Sequence, residues 1–185
     1  VPHFETHVID IDRDSIAYLK KHFPTLQDKI IEGDFLALDL SKLFNNQPFA
    51  VIGNFPYNIS TEILFKVLDH KDAVPEVVGM FQKEVAQRIA AKEGNKTYGV
   101  LSVLVQAFFQ VEYLFDVHEK SFQPPPRVKS GVIRLLPVNE PLAISSEKQL
   151  FLLVKTAFNQ RRKTLRNAVK GLFDAAILAD ELFNK

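Results

Sequence analysis

The sequence predicts an α/β protein with a doubly wound, mostly parallel β-sheet and a small C-terminal all-helical domain. Short runs rich in Val and Ile alternate with longer segments in which apolar residues recur every three or four positions. Such alternation is typical of βαβ units, whose neighbouring strands run parallel. The last two strand-like runs have no helix between them, so we expect them to pair antiparallel at one edge of the sheet.

Each predicted strand is a short apolar run that ends in an acidic residue, a glycine, an asparagine or a turn. In chain order the six strands are HVIDID, KIIEGD, FAVIGN, EVVGMF, VEYLFDV and GVIRLLPV. Helical spacing of apolar residues predicts the helices that accompany them, in the segments RDSIAYLKKHF, TEILFKVLDH, QKEVAQRIAAKEG and TYGVLSVLVQAFF. We expect the third of these helices to end at Gly94.

The pattern becomes helical beyond the last strand, and we predict two domains, 1–139 and 140–185. Ser145 is placed to cap a helix. The apolar face of this helix consists of Leu150, Leu153, Val154, Ala157 and Phe158. A basic stripe is expected on the helical continuation of the same segment, at Arg162, Arg166 and Lys170.

The formal net charge of +1 hides an uneven distribution of charge along the chain. Residues 1–116 carry 11 Lys and Arg against 16 Asp and Glu, whereas residues 117–170 carry 11 against 3. A basic segment joined to an acidic one suggests that a polyanion is contacted from one side. A solvated helix face is the alternative, and charge alone leaves both open.

The composition excludes several classes of protein and site. The chain has no Cys, which excludes disulfides and thiolate metal sites. No run of 18 uncharged apolar residues exists, and the opening VPHFETHVID lacks the layout of a signal peptide. The His residues occur singly, without metal-ligand spacing. We therefore expect a cytoplasmic protein with no membrane contact and no metal site.

Polar side chains follow three of the predicted strands at the point where each strand ends. They are Asp10, Asp34 and Asn54. Ligands of doubly wound sheets bind at the carboxyl ends of the strands. Asp10 is placed to accept hydrogen bonds from ribose hydroxyls, and Asp34 to accept one from the exocyclic amine of an adenine-like ring. Either Asp alone is better explained as a helix cap or turn residue, but together with Asn54 they indicate a nucleoside pocket.

The segment NFPY, residues 54–57, suits methyl transfer to the exocyclic amine of a base. Such an amine is a poor nucleophile because its lone pair is delocalised into the ring. The Asn54 amide oxygen and the Pro56 carbonyl oxygen can accept its two hydrogens and thereby localise the lone pair. Tyr57 offers a flat face to a base turned out of its stack. The alternative is a plain turn with Tyr57 in the core, but this tetrapeptide rarely occurs by chance in a chain of this length.

These residues carry a resemblance to a known family. NFPYNIS resembles motif IV of the ribosomal RNA adenine N6-dimethyltransferases, which use S-adenosylmethionine. VIDID and EGDFLALDL are similar to the second and third cofactor motifs of that family. The similarity continues through FQKEVAQRIAA, SFQPPPRVKSGVIRL and AFNQRRKTLRNAV, and so covers nearly all of the chain. The most similar branch is the bacterial small-subunit one, which dimethylates two adjacent adenines near the 3′ end of its RNA.

The resemblance implies a Rossmann-like fold, S-adenosylmethionine as the cofactor, and a monomer that acts on 16S ribosomal RNA in the pre-30S particle. The implied cofactor-binding residues are Asp10, Ile11, Asp34, Phe35 and Asn54. The implied catalytic residues are Asn54, Pro56, Tyr57 and Phe122, the last as a second stacking wall for the target adenine. Without the family, Phe122 is equally well explained as a core residue. The implied RNA-binding residues are Arg127, Lys129, Arg161, Arg162, Lys163, Arg166 and Lys170.

Three features depart from the family pattern. Asp10 stands where Glu is more usual, and Phe55 stands where Leu or Ile is. The family's Gly-rich cofactor loop is not found, since no two of the seven glycines form a Gly-x-Gly. We interpret the chain as lacking the first βα unit, and expect these 185 residues by themselves to bind S-adenosylmethionine weakly.

Two other functions stay open at this point. The macrolide-resistance methylases of large-subunit RNA share the fold and an Asn-x-Pro-Tyr turn, although NIST and RRKTLRN favour the small-subunit branch. A ribosome-assembly factor that keeps the fold without turnover is the other alternative.

Overall fold

The computed structural model describes residues 4–140 and 142–173. The strands are β1 (Val8–Asp10), β2 (Ile30–Glu32), β3 (Val51–Asn54), β4 (Val77–Gln82), β5 (Phe109–Val117) and β6 (Ser130–Pro137). The helices are α1 (Arg13–His22), α2 (Leu40–Leu43), α3 (Ser60–Asp69), α4 (Lys83–Ile89), α5 (Val100–Gln106), α6 (Glu147–Asn159) and α7 (Leu165–Val169). Within these ranges no helix has the length and apolar character needed to cross a membrane.

The strands form an α/β arrangement in two sheets. β1 pairs parallel with β2, and the other four strands lie in the order β3-β4-β6-β5. β3 and β4 are parallel, while β6 runs antiparallel to both β4 and β5. The predicted α/β fold and the antiparallel pairing of the last two strands are therefore confirmed. The difference from the expectation is that, among the described strands, β3 pairs only with β4, so the sheet is divided.

One face of the four-stranded sheet forms the main core. Side chains alternate between the two faces of a strand, and Val77, Gly79 and Phe81 of β4 are all buried. The helices α3, α4 and α5 cover this face with the buried residues Ile63, Leu64, Val67, Leu68, Ala86, Ile89 and Val105. The apolar face predicted for α3 is confirmed. Full burial of an aliphatic side chain contributes about 1.5–3 kcal/mol, so this layer holds the sheet and helices together.

The predicted end of α4 at Gly94 is wrong, since the helix ends at Ile89. The physical reason is a side-chain cap. The Gln106 amide nitrogen donates hydrogen bonds to the carbonyls of Ile89 and Ala91, both at 2.8 Å, and so satisfies acceptors that the helix leaves open. Gly94 instead has a positive φ of 82° in the turn that follows.

The C-terminal segment differs from its prediction in two details. Ser146, and not Ser145, caps α6, and its hydroxyl accepts a hydrogen bond from the Gln149 N–H at 3.3 Å. The single basic helix is also wrong, because α6 ends at Asn159 and α7 begins only at Leu165. A turn closed by the Lys163 N–H and the Gln160 carbonyl, 2.8 Å apart, separates the two helices.

Helix α6 packs against the rest of the chain through mixed contacts. Lys71 forms an ion pair with Glu147 at 2.6 Å, and the rings of Phe65 and Phe151 lie 6.0 Å apart. The Arg161 guanidinium donates to the carbonyls of Lys96 and Tyr98, at 3.2 and 3.4 Å. These contacts hold α6 against α3 and the turn after it, and fasten the start of the basic segment to the loop before α5. The domain boundary at 139/140 stays a prediction, and residues 141 and 174–185 of the second domain lie outside the described residues.

A glycine pair on β3 and β4 creates space for one aromatic ring. Gly53 and Gly79 are partners across β3 and β4. A Cβ at Gly53 would lie 2.7 Å from the Phe55 ring, and one at Gly79 would lie 2.6 Å from the rings of both Phe55 and Phe81. The rings of Phe55 and Phe81 meet edge to face with centroids 5.2 Å apart. The Phe55 side chain thus ties the segment after β3 to the core.

Replacing Gly79 by Ala should destabilise the fold by about 1–3 kcal/mol, because the added methyl group overpacks the space taken by two buried rings. Urea unfolding followed by circular dichroism measures the change. The control is Gly171→Ala, whose added carbon meets no atom within 4 Å, and which should change the free energy of unfolding by less than about 0.5 kcal/mol. Equal effects of the two substitutions would contradict the close packing around Gly79.

Candidate nucleoside and base-binding site

The carboxyl ends of β1 and β2 bring two acidic side chains together. Asp10 is the last residue of β1 and pairs in register with Glu32, the last residue of β2. The Gly33 N–H donates to the Asp10 carbonyl at 2.9 Å, which continues the pairing one residue beyond the strand. Asp34 follows at once, so both carboxylates lie at the same edge, as the sequence predicts.

Both carboxylates are oriented by local turns. Asp10 Oδ1 accepts a hydrogen bond from the Asp12 N–H at 2.9 Å, and Asp34 Oδ1 accepts one from the Leu36 N–H at 2.8 Å. These are the turn roles that the sequence left open as alternatives. Within residues 4–140 and 142–173, the second oxygen of each carboxylate has no hydrogen bond, so a turn role and a ligand role are compatible. Asp10 is half-buried and Asp34 is exposed.

The loop after β2 is tied to the helix that follows the NFPY turn. The Lys66 ammonium of α3 donates to the carbonyls of Leu36 and Leu38, and it lies 5.8 Å from the centre of the Phe35 ring. Phe35 is half-buried, whereas the predicted cofactor residue Ile11 is 70% exposed. Sequence reasoning missed Lys66, because nothing in the spacing shows that its ammonium reaches main-chain carbonyls 28 and 30 residues away.

Asn54 stands at the end of β3 with its amide uncommitted. The residue is exposed, and no other described group forms a hydrogen bond with its side chain. Its neighbour Phe55 is 7% exposed and donates its N–H to the Met80 carbonyl at 3.3 Å. The Pro56 carbonyl already accepts a hydrogen bond from the Ile59 N–H at 3.1 Å. A carbonyl oxygen has two lone pairs, so Pro56, two residues after Asn54, retains one acceptor site.

Tyr57 is held by a residue that the sequence did not single out. Its hydroxyl lies 2.5 Å from the Ser130 hydroxyl, and Ser130 is fully buried as the first residue of β6. This hydrogen bond connects the NFPY turn to the loop that carries Phe122. The available signal was the Ser that closes QPPPRVKS, directly before an apolar strand.

Phe122 lies just after a short 3₁₀ turn, Glu119–Ser121, and is half-buried. It is therefore not one of the buried core residues. No ring contact between Phe122 and Tyr57 occurs in the described part of the chain, so the pair of stacking walls stays a prediction.

A cluster of three side chains supports the chain just before Ser130. The Lys83 N–H donates to the Lys129 carbonyl at 2.9 Å, and the Lys83 ammonium pairs with Asp116 at 2.5 Å. The Tyr113 hydroxyl donates to Asp116 Oδ1 at 2.6 Å. Hydrogen bonds from Lys83 and then Tyr113 lower the pKa of Asp116 below its usual value, while burial, followed by the contact with Asp116, raises the pKa of Tyr113 to about 12.

The seven predicted RNA-binding cations are all exposed: Arg127, Lys129, Arg161, Arg162, Lys163, Arg166 and Lys170. They do not share one helix. Arg127 and Lys129 lie in the loop before β6, three others lie in the turn between α6 and α7, Arg166 is in α7, and Lys170 directly follows α7. Arg161 combines its exposure with the carbonyl contacts that fasten this turn to residues 96 and 98.

The fold and the site define a class of protein. Two acidic side chains that suit a nucleoside lie at the ends of parallel strands, and a separate turn presents an unpaired amide and an aromatic ring. These are features of an α/β protein whose candidate ligand sites lie at the carboxyl ends of its strands.

Comparison with known proteins identifies the family. The family model described as "Ribosomal RNA adenine dimethylase" matches residues 5–183, and the chain belongs to that family. The "Ribosomal RNA small subunit methyltransferase A" of Cytophaga hutchinsonii is 62% identical over 169 residues, which cover 91% of this chain and 65% of that protein. The protein of the same name from Phocaeicola vulgatus is 56% identical over 181 residues, which cover 96% and 64%. The chain thus spans about 65% of these relatives.

Solved structures agree with this fold. A dimethyladenosine transferase from Plasmodium falciparum superposes with a TM-score of 0.75 at 31% identity, covering 91% of this chain and 59% of that one. The 23S rRNA methyltransferase ErmE gives a TM-score of 0.69 at 21% identity, covering 91% and 67%, which shows the shared fold alone.

The hydrogen bond between Tyr57 and Ser130 is expected to stabilise the fold, and a double-mutant cycle measures its coupling free energy. Ser130→Ala is expected to cost about 1–3 kcal/mol, because it leaves the Tyr57 hydroxyl without its partner. The same substitution in a Tyr57→Phe background should cost clearly less, since that hydroxyl is then absent. Urea unfolding of the four proteins gives the coupling free energy. Costs that are equal in both backgrounds would contradict a stabilising hydrogen bond between these two residues.

Proposed function

We propose that the protein carrying this chain transfers methyl groups from S-adenosylmethionine to N6 of two adjacent adenines near the 3′ end of 16S ribosomal RNA. The observation that carries the proposal is the uncommitted amide of Asn54 at the end of β3; Pro56, two residues later, keeps one acceptor site on its carbonyl. The names of the relatives at 62% and 56% identity support the small subunit as the substrate.

The residues at the ends of β1 and β2 fit the cofactor. Asp10 and Asp34 are held in fixed turns, yet each keeps one carboxylate oxygen free. In this proposal Asp10 accepts hydrogen bonds from the ribose hydroxyls and Asp34 accepts one from the adenine amine, with Ile11 and Phe35 against the ring. S-adenosylmethionine supplies an electrophilic methyl group on a positively charged sulfur.

The chemistry falls to positioning and electrostatics. In the first transfer Asn54 and Pro56 would accept the two hydrogens of the target amine, so that its lone pair becomes localised and points away from them. The nitrogen would bond to the methyl carbon as the carbon–sulfur bond breaks, S-adenosylhomocysteine would leave, and the amine would then lose one proton to solvent. The monomethylated amine keeps one hydrogen, which one of the two acceptors would hold in the second transfer. Tyr57 stacks on the flipped base, and Phe122 closes the opposite side. No strong base is needed in this step, because the gain comes from holding the amine in line with the methyl group.

Two observations favour the small-subunit substrate over the large-subunit alternative. NIST and RRKTLRN fit the small-subunit branch, and the likeness to ErmE, at 21% identity, extends to the fold alone. The uncommitted Asn54 amide favours turnover over a purely structural role in ribosome assembly. We further propose a cytoplasmic monomer that contacts the pre-30S particle.

The basic segment of the second domain, 140–185, is proposed to follow the RNA backbone. Arg162, Lys163, Arg166 and Lys170 would contact phosphates, while Arg161 would contact RNA and also hold the turn in place. Arg127 and Lys129 would contact the RNA close to Tyr57, since Lys129 directly precedes its partner Ser130 and Arg127 lies two residues before Lys129.

The decisive experiment removes the Asn54 amide. Asn54→Ala, in the protein of full encoded length, should lower methyl transfer to unmodified small-subunit particles by about 10²–10³-fold, because one acceptor aimed at the amine is lost. Incorporation of labelled methyl groups measures the rate, and mass spectrometry of the digested RNA identifies N6,N6-dimethyladenosine.

The control is Asn159→Ala, which removes an exposed amide from the end of α6 and should leave the rate unchanged. A wild-type rate in Asn54→Ala would refute the mechanism. Methylation of large-subunit RNA alone by the wild-type protein would refute the substrate, and a lack of any transfer would refute enzymatic function.

Replacing Arg162, Arg166 and Lys170 together by Ala should weaken binding to small-subunit particles and flatten its dependence on salt. Each lost phosphate contact reduces the slope of log K against log salt by about 0.7–0.9, so the triple variant should lose about 2–3 units of slope. Filter binding over a range of salt concentrations measures it. The matched control replaces Lys20, Lys21 and Lys92 by Ala; all three are exposed cations in the acidic part of the chain. An equal change of slope in this control would contradict RNA binding by the C-terminal basic residues in particular.

A further inference from the structure

We propose that a shallow cleft beside Tyr57 binds the RNA nucleotide next to the target adenine and reads the base of that nucleotide. The inference rests on the proposed function, because it takes RNA with two adjacent adenines as the substrate. It adds a second nucleotide position, built from residues of β4, α4 and the loop before β6, that the methyl-transfer step itself does not use.

The cleft has a volume of about 300 Å³ and is lined by Gln82, Lys83, Glu84, Gln87, Val128 and Lys129. It opens at the carboxyl end of β4, where Gln82 pairs in register with Ser130 of β6. The Ser130 hydroxyl in turn contacts the Tyr57 hydroxyl. One residue of β6 therefore separates the cleft from the ring on which the target base is proposed to stack.

The charged residues at the mouth of the cleft are mostly engaged elsewhere. Lys83 pairs with Asp116 at 2.5 Å, and Glu84 pairs with Arg88 at 2.8 Å. In the described part of the chain the side-chain amides of Gln82 and Gln87 have no hydrogen-bond partner, and Lys129 has no ion pair. Lys129 acts only at longer range, where its charge helps to lower the pKa of Asp116.

These uncommitted groups match a nucleotide. A Gln amide presents one acceptor and one donor side by side, which pair with the N6 amine and N7 of adenine. Val128 is 43% exposed and offers an apolar surface to the face of the base. Lys129 can contact the phosphate. The volume lies at the lower end of the range for small-ligand pockets, which suits one base rather than a larger ligand.

The cleft has a chemical consequence for two adjacent adenines. An unmodified adenine donates an N6 hydrogen to the Gln87 amide oxygen, whereas N6,N6-dimethyladenine has no such hydrogen and two added methyl groups. The cleft therefore holds an unmodified neighbour better than a dimethylated one.

The test combines a change in the protein with a change in the RNA. Synthetic hairpins carry the two adjacent adenines, or purine riboside, which lacks the N6 amine, at one of the two positions. With wild-type protein of full encoded length, the substitution in the neighbouring position should weaken binding about fivefold to a hundredfold. With Gln87→Ala the same RNA change should have less than about a threefold effect, because the partner is already gone.

Two further variants test which part of the Gln87 amide matters and whether the effect is specific to the cleft. Gln87→Glu retains the acceptor and loses the donor, so it should keep part of the discrimination. Gln110→Ala removes an exposed amide at the opposite end of the sheet, where Gln110 pairs with Leu136, and should discriminate as wild type does. Circular dichroism confirms that each variant is folded.

The proposed cleft would be overturned if Gln87→Ala and wild type lost the same affinity when purine riboside replaces adenine, at both adenine positions. Failure of the proposed function gives a different result, since wild-type protein would then transfer no methyl group to small-subunit particles, whatever the binding cycle shows.

Discussion

The position of the Phe55 ring is the constraint on which the rest of the site depends. The ring fits because both residues of the pair Gly53 and Gly79 lack a side chain. A methyl group at either position would come within 2.7 Å of the Phe55 ring. The ring holds the chain immediately after β3 against Phe81. With Phe55 inward, the alternation of side chains puts Asn54 outward, at the strand end where its amide meets solvent.

Other groups of the site are fixed by hydrogen bonds between residues that are far apart in the sequence. Ser130 fixes the Tyr57 hydroxyl from 73 residues away. Lys83 holds the carbonyl of Lys129, so the loop before β6 is tied to α4 as well. Each of these contacts limits the freedom of a polar or aromatic group that the proposed chemistry must hold still, which is how a protein obtains rate from positioning.

Much of the fold followed from local patterns. Short β-branched runs gave the six strands, and the helical spacing in TEILFKVLDH gave the buried face of α3. The strand ends also placed Asp10 and Asp34 at one edge, because the parallel strands β1 and β2 share it. Asn54 ends β3 in the other sheet, so its place beside the two carboxylates stays a prediction. Local patterns failed where a distant side chain decided the outcome: Gln106 ends α4 early, and Ser130 and Lys66 reach partners that no spacing reveals. The basic residues looked like one helix because the turn between α6 and α7 is built from residues that also suit a helix interior.

The acceptors that Lys66 and Arg161 use have a consequence for how this chain can vary. Both cations bind main-chain carbonyl oxygens, of Leu36 and Leu38 in one case and of Lys96 and Tyr98 in the other. Every amino acid supplies that oxygen, so the two receiving loops can exchange side chains without losing the attachment. The donors have no such freedom. Substitutions are therefore tolerated at the four acceptor residues but not at the two cations. Of the six residues that form the two attachments, only Lys66 and Arg161 depend on the identity of their side chains.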